Sequence, residues 1–184
     1  MKHARSTRGF STAAAIAVVA LIAAAFVVTT ALAGYGSTDG VARATAKFHN
    51  LAVAKKAGYG LLKDKNGVAC IAMDGMPGMG AMGFHFAKPT LVGDGLLDAA
   101  TPEALVYAPS AGGKLHLAAV EYVVIKAAWD AKHASAPSLF GQKFNFTPAG
   151  NRFGLPAFYS LHAWIWQHNP AGTFAMWNPE VSCK

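Results

Sequence analysis

Apolar residues recur at helical spacing between Asp39 and Gly58, and they alternate with other residues further along the chain. The early spacing predicts one amphipathic helix, with Asp39 as its N-cap and Gly58 just beyond its C-terminus. The clearest β pattern comprises segments 103–109 and 114–125, which flank the turn sequence Ser-Ala-Gly-Gly at 110–113. These two segments predict a β-hairpin.

Further strands are expected around this hairpin. The pattern predicts short strands on both sides of the Asn-Gly turn at 66–67, another at 84–87, and a late strand over 157–168. Segment 135–156 is rich in proline, glycine and aromatic residues, and we expect it to be a long ordered loop. One helix followed by hairpin-like strands predicts an α+β fold, with the N-terminal amphipathic helix packed on a mostly antiparallel sheet.

The first 33 residues have the layout of a secretory signal peptide. Three Lys or Arg residues and no acidic residue precede a continuous apolar run, and an Ala-Leu-Ala cleavage site ends at Ala33. We expect cleavage after Ala33, which leaves residues 34–184 as a single secreted or periplasmic domain with no membrane attachment. An uncleaved membrane anchor is the alternative, because about 20 apolar residues span a bilayer.

Charge and cysteine content narrow the possible partners and the compartment. Removal of the leader lowers the net charge from +7 to +4, and no basic stripe of the kind that nucleic-acid binders need is present. Cys70 and Cys183 are the only cysteines. In an exported chain they predict one disulfide, with free thiols or a thiolate metal ligand as alternatives.

A methionine repeat precedes one histidine. The stretch "MDGMPGMGAMGFHF" places Met73, Met76, Met79 and Met82 three residues apart, and His85 follows after three more. Period three matches polyproline II, which would spread the sulfur atoms about 9 Å apart along one edge. If the glycines fold the loop back, these thioethers and the imidazole favour Cu(I). The alternatives are adaptable apolar packing and absorption of oxidant.

A carboxylate interrupts the longest apolar strand pattern. Alternation places Leu115 and Leu117 on the face of Glu121, and both faces of this strand are apolar. A buried carboxylate is costly unless it is paired, protonated or bound to a metal. His85, Glu121 and His162 lie on three predicted strands and could converge into a two-His-one-carboxylate metal site. Otherwise the histidines belong to the core and Glu121 pairs with a lysine or arginine.

Aromatic residues of the late strand suggest a different kind of site. Strict alternation there places His162, Trp164, Trp166 and His168 on one face. With Tyr122 on a neighbouring strand, the two indoles could line a pocket for a small apolar or aromatic ligand.

Three functions follow from these candidates. The leading hypothesis is an exported protein that binds a transition metal, copper first, through His85, Glu121 and His162 with Met76, Met79 and Met82. The alternatives are a binding module for a small organic ligand and a metal-dependent enzyme with an open coordination position. Local signatures of nucleophilic or metalloprotease catalysis are missing, so an enzyme is not favoured.

The overall layout also resembles a protein group. A helix ending in "AGYG" is followed by Cys70 and then by "MGFHF", "EALVYAP", "LAAVEYVV", "PSLFGQKF" and "LHAWIWQHNPAGTFAMWNPEVSC". Over residues 40–183 this order resembles a group of uncharacterised exported bacterial proteins. The resemblance implies export, and it carries no activity or catalytic residue.

Overall fold

The structure, a computed structural model, describes residues 1, 37–73 and 75–184. Its contacts divide the chain into residues 1–34 and residues 35–184, and every element below belongs to the second unit. The predicted signal peptide lies outside the described residues, apart from Met1. Within the described part of the chain, no helix has the length and apolar character needed to cross a bilayer.

The predicted amphipathic helix is divided into two short helices. These are α1 (Thr38–Thr45) and α2 (Leu51–Lys56), joined by a 3-10 turn at Ala46–His49. Val41 and Phe48 from this region are buried in one cluster with Leu105, so the segment packs on the sheet as expected.

The residues that cap these helices differ in part from the predicted ones. Ser37, rather than Asp39, caps α1, because its hydroxyl accepts a hydrogen bond from the Gly40 N–H. Asn50 has an extended backbone and caps α2 with its side chain, which explains the break between the helices. Gly58 lies just after α2 with φ +95°, as expected of a left-handed C′ residue.

Seven strands form one sheet in which all pairings are antiparallel. The strands are β1 (Gly60–Leu61), β2 (Cys70–Ala72), β3 (Ala81–Ala87), β4 (Ala104–Pro109), β5 (Leu115–Ile125), β8 (Asn145–Thr147) and β9 (Phe158–Ala163). Their order in the sheet is β1–β3–β4–β5–β9–β8. Strand β2 pairs with the first half of β3, and β1 pairs with its last two residues. The short elements α3 (Pro89–Val92), α4 (Lys126–Asp130), β6 (Ser138–Leu139) and β7 (Gln142–Lys143) complete the described fold.

The β4–β5 hairpin is confirmed, but it contains a bulge that alternation did not predict. Val106 pairs with Ala119 while Tyr107 pairs with Leu117, so Ala118 has no counterpart on β4. A bulge of this kind exchanges the faces of the residues before it. Leu117 therefore packs in the cluster on the helix-covered face, opposite to the face predicted for it.

The late strand is shorter than predicted, and the preceding loop is less irregular. Strand β9 ends at Ala163, because the Trp164 N–H donates to the Thr173 carbonyl and the chain leaves the sheet. Segment 135–156 contains the β6–β7 hairpin and β8, which pairs with β9 at the sheet edge. Side chains after Ala163 therefore do not continue the alternation of β9.

The two faces of the sheet carry different covers. Adjacent residues of β4 belong to different clusters, with Leu105 under the helices and Val106 on the opposite face. On that opposite face, Val106 clusters with small alanines and with Trp164 and Val181 of the C-terminal segment. Residues 164–184, which we call the tail, therefore cover this opposite face through Trp164 and Val181, while Trp166 and Phe174 of the tail pack against the cluster on the helix-covered face.

Several contacts attach the tail to the sheet, among them the Trp166 and Gln167 N–H groups, which both donate to the Ala118 carbonyl of β5. Ala81 and Asn178 exchange backbone hydrogen bonds, and Cys70 and Cys183 form the predicted disulfide. Gly80 is needed at this contact, since a Cβ atom there would lie 2.0 Å from the Asn178 carbonyl oxygen. The disulfide indicates an oxidising environment of the extracellular type.

A second buried carboxyl group lies at the start of β4. Glu103 is 2% exposed, and its Oε2 accepts a hydrogen bond from the Val123 N–H at 3.0 Å. Burial raises the pKa of Glu103 from 4.5 to about 8, more strongly than this hydrogen bond lowers it. The folded protein therefore holds this proton more tightly than the unfolded chain.

The free energy of unfolding should consequently fall as the pH rises from 4.5 to 8. In this range Glu103 loses its proton readily in the unfolded chain, whereas the folded protein must keep the proton or bury a carboxylate. Glu103→Gln keeps the acceptor without ionising. We expect it to flatten this decline, with a gain at pH 8.5 on the order of 3–5 kcal/mol over its effect at pH 5. Urea unfolding at both pH values measures the difference. Equal gains at both pH values, or the same gain from the exposed control Glu180→Gln, would contradict the assignment.

Candidate metal centre

Three strands bring His85, Glu121 and His162 together on the tail-covered face. Glu121 of β5 pairs directly with His162 of β9, and on its other side with Ala104 of β4. His85 lies on β3, one strand further away.

Polar atoms of the three side chains approach to contact distance. The Nε2 atom of His85 lies 3.2 Å from Nε2 of His162 and 3.4 Å from Oε2 of Glu121. The Nδ1 atom of His162 lies 3.5 Å from Oε1 of Glu121, too long for a strong hydrogen bond. One ligand atom from each residue lies within 4.8 Å of the others, so the group could hold a metal ion.

The three side chains are largely shielded from solvent, and some of their polar atoms have no hydrogen-bond partner. His85 and His162 are 2% and 1% exposed, and their Nδ1 atoms find no hydrogen-bond partner among the described residues. The Glu121 side chain is 12% exposed and receives a hydrogen bond from the Ser160 hydroxyl. Across the described chain its only ion-pair contacts are with the two imidazoles. Among the described residues, Glu121 is therefore not paired with a lysine or arginine.

Burial favours the uncharged form of every member of this group. It lowers the pKa values of His85 and His162 to about 4, and the nearby Glu121 carboxylate opposes the shift at His85. Burial also raises the pKa of Glu121, against the opposing effects of His85 and Ser160. Neutral imidazoles are the form that binds metals. At neutral pH both histidines can therefore act as ligands without first losing a proton.

Backbone geometry in β3 sets the position of His85. Gly83 has φ +94°, and a Cβ atom at this residue would lie 2.6 Å from the Tyr107 carbonyl oxygen of β4. The glycine thus permits the close approach of β3 to β4 two residues before His85. The glycines of the methionine repeat therefore include at least one residue that shapes the site.

The methionine repeat itself is not a polyproline II ribbon. Gly75, Gly78 and Gly80 have φ values of +77°, +86° and +70°, whereas polyproline II requires about −75°. These positive angles fold the segment into turns before β3 begins. Glycines between and after the methionines therefore turn the chain, and the extended edge of sulfur atoms that polyproline II would give is not formed.

Only part of the repeat comes near the three ligands. Met82 lies in β3 and lines a cavity together with His85 and Glu121. Met79 is half-buried, and Met76 is 53% exposed beside a separate open recess at the C-terminal residues. Met176 of the tail lines the cavity as well, a contact that sequence reasoning did not anticipate. The sequence gives one indication of this contact: the predicted disulfide joins Cys183, seven residues after Met176, to Cys70, which precedes the methionine repeat.

The cavity beside the triad has a volume of about 70 Å³ and walls that are mostly apolar. Leu62, Val123, Phe153, Leu155 and Phe158 supply carbon surfaces in addition to the two methionines, and hydroxyl groups come from Thr147 and Ser160. The cavity therefore places a mostly apolar space directly beside His85 and Glu121.

An ion pair between Arg152 and Asp64 links two of the segments that line this cavity. Arg152 donates two hydrogen bonds to Oδ2 of Asp64, at 2.8 and 3.2 Å, and the pKa of Asp64 is lowered mainly by this contact. The Lys65 N–H also donates to the Arg152 carbonyl. These bonds connect the segment after β1 to the segment that carries Phe153 and Leu155.

The predicted aromatic ligand pocket is not brought together at this cavity. Tyr122 is fully buried under the helices and donates its hydroxyl to the Ala99 carbonyl, and Trp166 packs against His49. Trp164 lies in the opposite cluster beside His162. His168 has a side chain 77% exposed. The early end of β9 separates residues that strict alternation would have aligned.

Comparisons with known proteins place no constraint on the site. No protein-family model, no curated protein and no solved structure matches the chain. The interpretation of the His85, Glu121 and His162 group therefore depends on its geometry and chemistry.

Proposed function

We propose that the chain is an exported protein that binds one transition-metal ion through His85, Glu121 and His162, with copper as the first candidate. One observation carries the proposal: two nitrogen atoms and one oxygen atom meet at separations of 3.2 and 3.4 Å. Ligands held about 2.0–2.2 Å from a tetrahedral ion lie about 3.3–3.6 Å from one another. Two donor separations thus match the edges of a coordination shell, while Glu121 comes 3.5 Å from Nδ1, the other ring nitrogen, of His162.

Burial without a compensating cation supports the same conclusion. The Glu121 carboxylate is costly to bury beside two uncharged imidazoles, with no lysine or arginine against it among the described residues. An ion would pair with the carboxylate and with the Nε2 lone pair of each ring. Such a set of nitrogen and oxygen donors suits zinc, copper, iron or manganese, so the donors alone do not select the metal.

The preference for copper rests on sulfur. Met82 and Met176 line the cavity that borders His85 and Glu121, and thioethers are soft ligands that favour Cu(I). The disulfide fits a protein that works outside the reducing cytoplasm, in the periplasm or beyond it.

Metal titration of protein purified without a histidine tag tests the proposal. We expect one ion per chain, and tight binding of both Cu(I) and Zn(II). Met82→Leu and Met176→Leu should weaken Cu(I) binding tenfold or more and leave Zn(II) binding unchanged, whereas the exposed control Met76→Leu should change neither. Failure to bind any transition metal would overturn the proposal, and equal effects on both ions would remove copper as the first candidate.

A further inference from the structure

We propose that the cavity beside the triad is a binding site for a small monocarboxylate that occupies the open coordination position of the metal. This inference rests on the proposed metal site. It adds a ligand class and a subsite to that function. The ligand would place one carboxylate oxygen on the ion and its short alkyl chain among the apolar residues of the cavity.

The number of protein ligands leaves a coordination position available. His85, Glu121 and His162 supply three donors, and zinc-type sites with three protein ligands take a water or substrate molecule as the fourth. His85 and Glu121 face the cavity, whereas His162 is not among its lining residues. An additional ligand would therefore approach from the cavity, on the side of His85 and Glu121.

The size of the cavity limits the ligand. One water-sized group needs about 10–15 Å³ in a cavity of this kind. A volume of about 70 Å³ therefore accommodates about five or six non-hydrogen atoms. Propionate and butyrate have this size, whereas formate leaves most of the cavity empty and hexanoate exceeds it.

The net charge of the metal site determines which charge a bound ligand should carry. A divalent ion such as Zn(II) or Co(II), bound by one carboxylate and two neutral imidazoles, leaves one uncompensated positive charge in an apolar environment, whereas Cu(I) leaves none, so the carboxylate site belongs to the divalent-metal form. Such a charge is costly to bury, and one carboxylate group on the ligand cancels it. Leu155, Val123 and Phe158 offer the alkyl chain a surface that excludes water. The combination favours an anion with an apolar body over a neutral amide or an amine of equal size.

Cobalt substitution gives a readout that does not depend on any activity. Co(II) bound at the site should show visible absorption bands that respond to a new ligand on the ion. We expect propionate to shift these bands with saturation, and to bind at least tenfold more tightly than propionamide, formate or hexanoate. Propylammonium should have no effect.

A cavity-filling variant tests the location of the ligand. Leu155→Trp changes a half-buried loop residue on the cavity wall, so its risk to folding is smaller than that of a strand substitution. It should retain Co(II) affinity within about threefold and lose at least 90% of propionate affinity. The matched control Leu96→Trp, at a position 60% exposed and outside the cavity lining, should bind propionate normally.

The outcomes separate this inference from the function on which it rests. If the protein does not bind Co(II), the carboxylate site is overturned, and if it binds no transition metal at all, the metal site is overturned as well. If Co(II) binds but its spectrum ignores propionate, or if Leu155→Trp binds propionate as well as the Leu96→Trp control does, the metal site stands and the carboxylate site is wrong. Equal affinities for propionate and propionamide would contradict the charge argument and with it the ligand class.

Discussion

Glu121→Gln is expected to weaken metal binding and to stabilise the metal-free protein. The substitution keeps the shape of the side chain and an acceptor for the Ser160 hydroxyl, but it removes the only carboxylate of the group. Loss of a partner outside the ligand shell already costs 10–100-fold in affinity in typical metal sites. Loss of an anionic ligand should therefore cost at least about 100-fold.

The stability effect should have the opposite sign. Burial of Glu121 raises its pKa, so the metal-free protein must either keep a proton on this carboxyl group or bury a charge. A neutral amide avoids this cost, and we expect a gain of about 1–3 kcal/mol at pH 8. Urea unfolding in the presence of a chelator measures the gain, and metal titration measures the loss. A variant that loses stability and still binds metal would show that Glu121 serves the fold rather than an ion.

Loss of the Cys70–Cys183 disulfide is expected to be the largest single loss of stability. The bond closes a separation of 113 residues, and in the chain-entropy view a loop of this length contributes about 4–5 kcal/mol. The double substitution Cys70→Ala with Cys183→Ala should therefore lower the unfolding free energy by about this amount.

Reduction of the native protein provides the matched control. Unfolding in urea with and without a thiol reductant should show the same loss as the double variant. The double variant should not respond to the reductant. The bond also anchors the tail that carries Met176, so Cu(I) affinity should fall together with stability. A loss below about 1 kcal/mol would mean that the other contacts of the tail, such as the Ala81–Asn178 hydrogen bonds, hold it without the disulfide.

The sequence predicted features that depend on strong local patterns or simple chemistry. The β4–β5 hairpin follows from two long apolar segments around a Gly-Gly turn, and only one pairing is available to two cysteines. The grouping of His85, Glu121 and His162 was predicted because a carboxylate inside an apolar strand requires partners, and histidines on other strands were the available ones. In each case one physical requirement leaves few possible arrangements.

The features that were missed depend on backbone geometry at single residues. Asn50 interrupts the first helix because its side chain caps the next one, which helical spacing does not reveal. The extra Ala118 in β5 exchanges the faces of Leu115 and Leu117, and a period-two pattern cannot signal such an insertion. Trp164 leaves the sheet for a tail hydrogen bond, so the aromatic pocket that depended on a longer strand was not assembled.

The methionine repeat shows the same limit. Its spacing suggested a set of equivalent sulfur ligands, but left-handed glycines turn the chain and leave Met82 beside the cavity and Met76 exposed. Met176 reaches the cavity from a segment about ninety residues further along the chain, brought there by the tail contacts. Long-range placement of this kind cannot be read from spacing.

Anomalous X-ray diffraction from crystals of metal-loaded protein would locate the bound ion. We expect one strong anomalous peak about 2.0–2.2 Å from an imidazole nitrogen of His85, an imidazole nitrogen of His162 and a carboxylate oxygen of Glu121. A peak at the exposed recess beside Met76, at the surface pair of His168 and Glu180, or at no ordered position in fully loaded crystals would contradict it.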